Sequence, residues 1–332
     1  VAYTFSIIGC QHAHVGIFIQ EMLELGHTCA GIYEPDNVAL AAHFSNTYQI
    51  PVVDDVNRLL ASDVDLVGCA AINNEKISII ELCEKHGRHV MIDKPAVTNR
   101  EDLQRLEAVL NRGAIQVGML LTERFRSSLY TLKQIIEQGQ LGRVLNITMR
   151  KPHRLTPTMR PSWHFSKEQN GGIVIDLFIH DFDLLRWLTG QEPVSASGYM
   201  AKSILPEHPT FYDRAGLQVV MDGQVTAQLY ADWHNPERSW TWGDCRLFVT
   251  GTQGSAELRL EGDPFVSKDD LLLVVTHEEE LRRAELLQPP SSITADFLNR
   301  IEGGTGVITH RDIWLATKAT IEADQEVQLI HE

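Results

Sequence analysis

The run Tyr3-Thr4-Phe5-Ser6-Ile7-Ile8-Gly9-Cys10-Gln11-His12-Ala13-His14 decides the fold. A short apolar strand over Tyr3–Ile8 stops at a glycine, and an amphipathic stretch from about His14 to Leu25 follows, closed by Gly26. A second strand, Cys29–Tyr33, ends at Glu34, and Asp36 is placed to cap a helix running to about Tyr48. The alternation continues through strands at Pro51–Val53, Leu66–Ala71, His89–Ile92 and Gln116–Leu121. Helices at Ile77–His86, stopped by Gly87, and at Arg100–Asn111 separate the later ones. Short apolar strands separated by helices indicate a parallel, doubly wound α/β sheet with right-handed crossovers, that is, a Rossmann-type domain.

The pattern changes near residue 122. A helix at Leu129–Gln138 and a strand at Val144–Met149 precede a stretch, 152–172, rich in Pro, His and Gly, which reads as a long functional loop. A strong helix covers Ile173–Thr189. Strand signals then run consecutively at Ser195–Met200, Ala215–Met221, Gln224–Trp233, Arg246–Thr250, Ser255–Leu260 and Leu271–Val275, as in an antiparallel sheet. The tail returns to helix at about Ile293–Ile301 and Asp312–Gln325. The expected organisation is an N-terminal Rossmann domain over 1–122 and a C-terminal α+β domain with a large, mostly antiparallel sheet over 123–332, its last helix placed to pack back on the first.

A chain of 332 residues with 43% hydrophobic and 22% charged residues has material for two cores. Its net charge of −15 argues against nucleic acid and anionic membrane surfaces as partners. The five cysteines (Cys10, Cys29, Cys69, Cys83 and Cys245) are scattered and lack CxxC spacing, as expected of reduced thiols in a cytoplasmic protein. No stretch reaches membrane-spanning length, and no signal peptide is visible.

The phosphate-cradling fingerprint Gly-x-Gly-x-x-Gly keeps only its first glycine here, Gly9. Gln11 stands where a missing side chain would let a pyrophosphate approach the backbone, and His14 where close helix–strand packing wants glycine. The helix end still offers N–H groups and partial positive charge, and a neutral His12 or His14 is a candidate phosphate donor. Two histidines without a matching ligand spacing are weak evidence for a metal, and none is expected. Glu34, 25 residues beyond Gly9, suits the carboxylate that takes ribose hydroxyls and repels a 2′-phosphate, favouring NAD over NADP. Lys94 stands at the carboxyl end of a strand, before Pro95, and the Lys94–Pro95 bond is a candidate cis peptide. Asp176 and His180 share one helix face, with Gly171 and Gly172 just before them. A histidine titrating near neutrality suits general acid–base work. The bland alternative is a surface helix rich in aspartate, since Asp181 and Asp183 follow.

In combination, Asp93-Lys94-Pro95, the run Gly171-Gly172-Ile173-Val174-Ile175-Asp176-Leu177-Phe178-Ile179-His180, the turn Gly139-Gln140-Leu141-Gly142 and the turn Gly251-Thr252-Gln253-Gly254 resemble the glucose–fructose oxidoreductase / inositol dehydrogenase / rhizopine-catabolism family of sugar and cyclitol oxidoreductases. The resemblance implies NAD-dependent oxidation of a secondary alcohol on a sugar, cyclitol or related polyol. It assigns Lys94 to substrate and nicotinamide contact, Asp176 to substrate positioning, His180 to acid–base catalysis and Glu34 to the ribose. It places Arg124, Trp163 and His164 at substrate-binding positions, with His164 replacing an arginine, and it implies a homodimer or homotetramer formed through the C-terminal sheet. His153, His234, Trp240 and Trp242 are further candidates to line a cleft. Two rival readings accompany it: tightly bound NAD used for transient oxidation during elimination, hydrolysis or epimerisation, and a non-catalytic sugar-sensing protein that has lost its nucleotide.

Overall fold

A computed structural model describes residues 1–61 and 63–330. The chain forms two compact units, one made of residues 1–121, 168–171 and 291–318, the other of residues 122–167, 172–290 and 319–332.

The first unit is built on five parallel strands, β1 (Thr4–Cys10), β2 (Thr28–Tyr33), β3 (Leu66–Ala70), β4 (His89–Ile92) and β5 (Val117–Met119), in the order β2-β1-β3-β4-β5. Helices α1 (Val15–Glu24), α2 (Val38–Tyr48), α3 (Lys76–His86) and α4 (Arg100–Arg112) are the crossovers. β3 and β4 are buried along nearly their whole length, as strands covered on both faces must be. Phe18 of α1 meets Phe5 of β1 edge-on at 5.7 Å. It lies so close to β3 that a Cβ on Gly68 would come within 2.6 Å of its ring. Two local expectations differ from what forms. Asn37, not Asp36, caps α2, its Oδ1 accepting from the Leu40 amide, because Asp36 lies one residue too early to reach that turn. Pro51–Val53 makes a single bridge, Ile32 to Val52, rather than a strand, since a proline at its start removes a ladder donor.

The second unit carries helices α5 (Ser127–Glu137) and α7 (Gly172–Thr189) and a nine-stranded sheet, and the short α6 (Lys167–Asn170) lies mostly in the first unit's 168–171 segment. Its strands are β6 (Val144–Pro152), β7 (Pro193–Ala201), β8 (Arg214–Met221), β9 (Thr226–Asp232), β10 (Arg246–Gly251), β11 (Gly254–Arg259), β12 (Leu271–Thr276), β13 (Arg282–Arg283) and β14 (Val327–Ile330), in the order β13-β12-β11-β10-β6-β9-β8-β7-β14. Pairing is antiparallel except where β6 meets β9 and β7 meets β14. The core lies between one sheet face, including Ile147, Met149, Leu217, Leu229 and Val249, and α5 and α7, including Leu132, Val174, Phe178 and Phe182. The tail helices are α8 (Ile293–Ile301) and α9 (His310–Glu326). Among the described residues no helix is long and apolar enough to cross a membrane.

Candidate active site

In an open sheet ordered β2-β1-β3-β4-β5, the strand order reverses at β1 and β3, and ligands collect beyond the carboxyl ends there. Gly9 stands at that point with φ +84°, and a Cβ on it would lie 2.6 Å from the Cβ of Ala71, just past β3. Conformation and close approach both require glycine here. Beyond it, α1 opens with the His12, Ala13 and Val15 amides making no hydrogen bond among the described residues, a set of donors facing an anion's natural place.

The same corner gathers Glu34 from the end of β2 and Asp93 and Lys94 from the end of β4. Glu34 is buried and accepts from the Cys10 amide at 2.5 Å, Gln11 Nε2 at 2.7 Å and the Asp36 and Asn37 amides at 2.8 and 2.9 Å. The position expected to hold ribose hydroxyls therefore also ties the loop after β1 to the loop after β2. His12 Nδ1 and His14 Nδ1 stand 3.1 and 3.2 Å from the two oxygens of the buried Asp93. Burial pushes the Asp93 carboxyl upward, but His14 and His12 outweigh it and hold it well below the usual carboxylate range. Burial lowers the His12 imidazole against the pull of Asp93, so its neutral form is favoured. Both Nδ1 atoms face Asp93, and the His14 amide also reaches His12 Nδ1 at 3.4 Å. The ligand atoms of His12, His14 and Asp93 lie within 4.8 Å of one another, near enough to hold a divalent transition metal.

Lys94 is buried, its amide donates to Asp93 Oδ1 at 2.9 Å, and the Lys94–Pro95 bond is cis. Beneath the turn lies a residue the sequence reading passed over. Lys76, at the start of α3, is 1% exposed, and its Nζ donates to Asn73 Oδ1 at 2.8 Å and to the carbonyls of Asp93, Lys94 and Pro95 at 2.9–3.2 Å. Its ammonium ties together the strand-end turn after β4. Only the distance between residues 76 and 93 hid it, because a lysine opening a helix reads as a solvated side chain.

In the second unit, α7 is buried along most of its length, contrary to the surface-helix alternative. Asp181 pairs with Lys151 at 3.1 Å, and Asp183 accepts from Arg124 Nη2 at 2.5 Å and Nε at 2.9 Å. Asp176 is 7% exposed and His180, one turn on, is half-buried. Arg124 is 3% exposed and its guanidinium is committed to Asp183, so it belongs to the unit's internal pairing. Trp163 and His164 are buried in an aromatic group. In it His164 meets Trp233 edge-on at 5.1 Å, and His153 meets Trp242 at 4.4 Å. Of the other cleft candidates, His234 binds Asp213 at 2.8 Å and Trp240 is partly exposed.

A Rossmann unit with a charged strand-end turn, followed by a large mostly antiparallel sheet packed on helices, is the architecture of an oxidoreductase with an NAD-binding domain. The chain belongs to the Gfo/Idh/MocA family: residues 4–119 match the model of its NAD-binding Rossmann oxidoreductase domain and residues 129–257 that of its C-terminal domain. It is 26% identical over 197 residues to the inositol 2-dehydrogenase of Rhizobium meliloti, a match covering 59% of this chain and 57% of that one. It is 30% identical over 132 residues to the myo-inositol 2-dehydrogenase of Thermotoga maritima, covering 39% and 37%. The chain thus spans little more than half the length of the first of these relatives. A solved protein of Erwinia carotovora atroseptica SCRI1043 superposes with a TM-score of 0.88 at 25% identity over 99% of both chains. The aldose-aldose oxidoreductase of Caulobacter crescentus shares the fold with a TM-score of 0.79 at 19% identity over 98% of both.

Proposed function

We propose that this protein oxidises a secondary alcohol of a sugar, cyclitol or related polyol with NAD. The observation that carries the reading is the strand-end turn: Lys94 held beside Asp93 at the carboxyl end of β4, in a chain of this family. The first turn of α1 supports nucleotide binding through its uncommitted amides, with Gly9, Gln11, His12 and His14 around the pyrophosphate and Glu34 at the ribose. Bound nicotinamide supplies the two-electron acceptor. His180 takes the proton of the reacting hydroxyl, Lys94 stabilises the charge left on that oxygen, and Asp176 holds a neighbouring hydroxyl. A carboxylate at Glu34 disfavours a 2′-phosphate, so NAD is the cofactor rather than NADP.

Calorimetric titration with NAD and NADP, then screening of polyols for NADH release, tests the proposal. NAD binding with turnover that disappears in His180→Ala, at unchanged NAD affinity, is the expected result. A ligand-binding protein without nucleotide is the second reading, favoured by the Glu34 carboxylate being engaged by its own loops. Failure to bind either nucleotide, with none trapped in the purified protein, would decide for it.

A further inference from the structure

Arg160 lies in the Pro- and His-rich segment after β6, on a short turn following Pro157–Met159. Its guanidinium sits over the ring of Trp233 at 5.1 Å and that of Trp242 at 5.9 Å. Its hydrogen bonds go to backbone carbonyls: Nε to Leu155 at 3.1 Å and Nη2 to Arg154 at a long 3.5 Å. No carboxylate comes within ion-pair distance of it among the described residues, and the acid acting on it through space is Asp176. The fully buried cations of this unit are matched, Arg124 with Asp183, Lys151 with Asp181 and Arg186 with Glu192, and the half-buried Arg154 and Lys202 are held by backbone carbonyls; Arg160 differs in lying over two tryptophan rings with most of its donors unspent. A half-buried guanidinium stacked on tryptophans and left without a carboxylate of its own is an expensive arrangement unless an anion joins it. Three of its five N–H donors remain unspent, enough for a planar, bidentate acceptor.

The surroundings indicate what that acceptor is attached to. Trp242 is 48% exposed, and its face suits the C–H surface of a polyol. Asp176 takes hydroxyl donors and repels a second carboxylate, so the hydroxylated end belongs at Asp176 and the anionic end at Arg160. We infer that Arg160, Trp242 and Asp176 form a subsite for a sugar acid, an aldonate or uronate whose carboxylate is taken by Arg160. The inference rests on the proposed function for the chemistry but not for the binding.

Binding is read without turnover by tryptophan fluorescence, titrating the full chain with a panel of five- and six-carbon aldonates and uronates, the matching neutral sugars and polyols, and sugar phosphates. At least one acid is expected to bind ten-fold or more tighter than its neutral counterpart. Arg160→Met, which keeps the apolar stem on the tryptophans, is expected to lower that affinity by about 10–100-fold and leave the neutral sugar unchanged, with Arg160→Lys restoring part of the loss. Equal binding of acid and neutral sugar, an acid-to-neutral ratio unmoved in Arg160→Met, preference for the phosphates over the carboxylates, or no binding by any compound overturns the inference. Absence of NAD-linked turnover alongside Arg160-dependent acid binding would overturn the redox reading and leave this one standing.

Discussion

Lys76 illustrates how much of the chemistry here depends on single side chains with no local signal. Its ammonium satisfies three consecutive carbonyls, those of Asp93, Lys94 and Pro95, together with Asn73 Oδ1. Removing it strands four buried acceptors at once, each costing about 1–3 kcal/mol if left bare, although relaxation and entering water recover part of the total. Lys76→Met is expected to destabilise the protein by about 2–4 kcal/mol in urea denaturation and to lower kcat of the proposed reaction more than it raises KM, because Lys94 loses its fixed turn. A midpoint within about 0.5 kcal/mol of the parent would show that the ammonium does not hold the turn. Gly9 makes the opposite case, since its importance was legible in the sequence. An alanine there meets both the positive φ and the Ala71 backbone, so Gly9→Ala should cost roughly 2–4 kcal/mol, measured the same way. Gly9, Glu34 and Lys94 could be singled out because they stand at fixed offsets from strand ends, and Asp176 and His180 because their run resembles that of the family. Lys76, Asp93 as a histidine acceptor, and Arg160 could not, because their partners are brought to them by the tertiary fold.

At the scale of elements, period and punctuation served well where burial is simple. β4 and α8 form over the expected residues, and the glycine stop of α3 adopts the left-handed cap. The two-residue β13 and the terminal β14 carry too little pattern to be read, and both depend on a neighbouring strand for their existence. α7 is the instructive element. Its aspartates suggested a solvated face, yet Asp181 and Asp183 are each 1% exposed and held by Lys151 and Arg124, one from β6 and the other from the turn before α5. Burial raises the Asp181 carboxyl and Lys151 opposes that rise, as befits a carboxylate admitted to a core only with its counter-ion. Breaking such a pair from one side leaves an uncompensated charge. Asp183→Leu should cost about 3–5 kcal/mol, whereas Arg124→Met combined with Asp183→Leu should recover most of that, as a double-mutant cycle in urea would measure. Single and double variants of equal stability would remove the pair from the account of how α7 is placed.

At the scale of the molecule, the uncovered face of the nine-stranded sheet bears on assembly. Across neighbouring strands the registers align Glu257, Phe248, Thr148, Gln228 and Gln218. Thr148 Oγ1 donates to Gln228 Oε1 and Gln228 Nε2 to Gln218 Oε1, and Phe248 stands 41% exposed beside them. A flat face of amides and scattered apolar groups suits a self-complementary contact, and light scattering should find a dimer or tetramer that Phe248→Lys weakens. A monomer at micromolar concentration would end that expectation.

Stability against pH is the other property of the whole, and its sign follows from the histidines. His310 is half-buried, its Nε2 accepts from the Val117 amide at 3.0 Å, and burial, with Arg300 adding to it, pushes its pKa down to about 4. Burial lowers His12, His27 and His89 as well. An unfolded chain titrates these rings near 6.5, so between about 4 and 6.5 the unfolded state holds more protons and stability rises with pH. The contribution is complete above 6.5 and is lost as the solution is acidified toward 4. The depressed Asp93 carboxyl adds a further loss at lower pH, whereas the raised carboxyls of Glu75, Asp181 and Asp324 act in the opposite sense. His310→Gln isolates one part of the sum, since the amide keeps an acceptor for Val117 but does not titrate. Allowing for the ring's partial exposure, it should flatten the urea-stability profile between pH 6.5 and 4 by about 1–2 kcal/mol relative to the parent. Parallel profiles for parent and variant across that interval would mean that His310 carries the same protonation in the folded and unfolded chains.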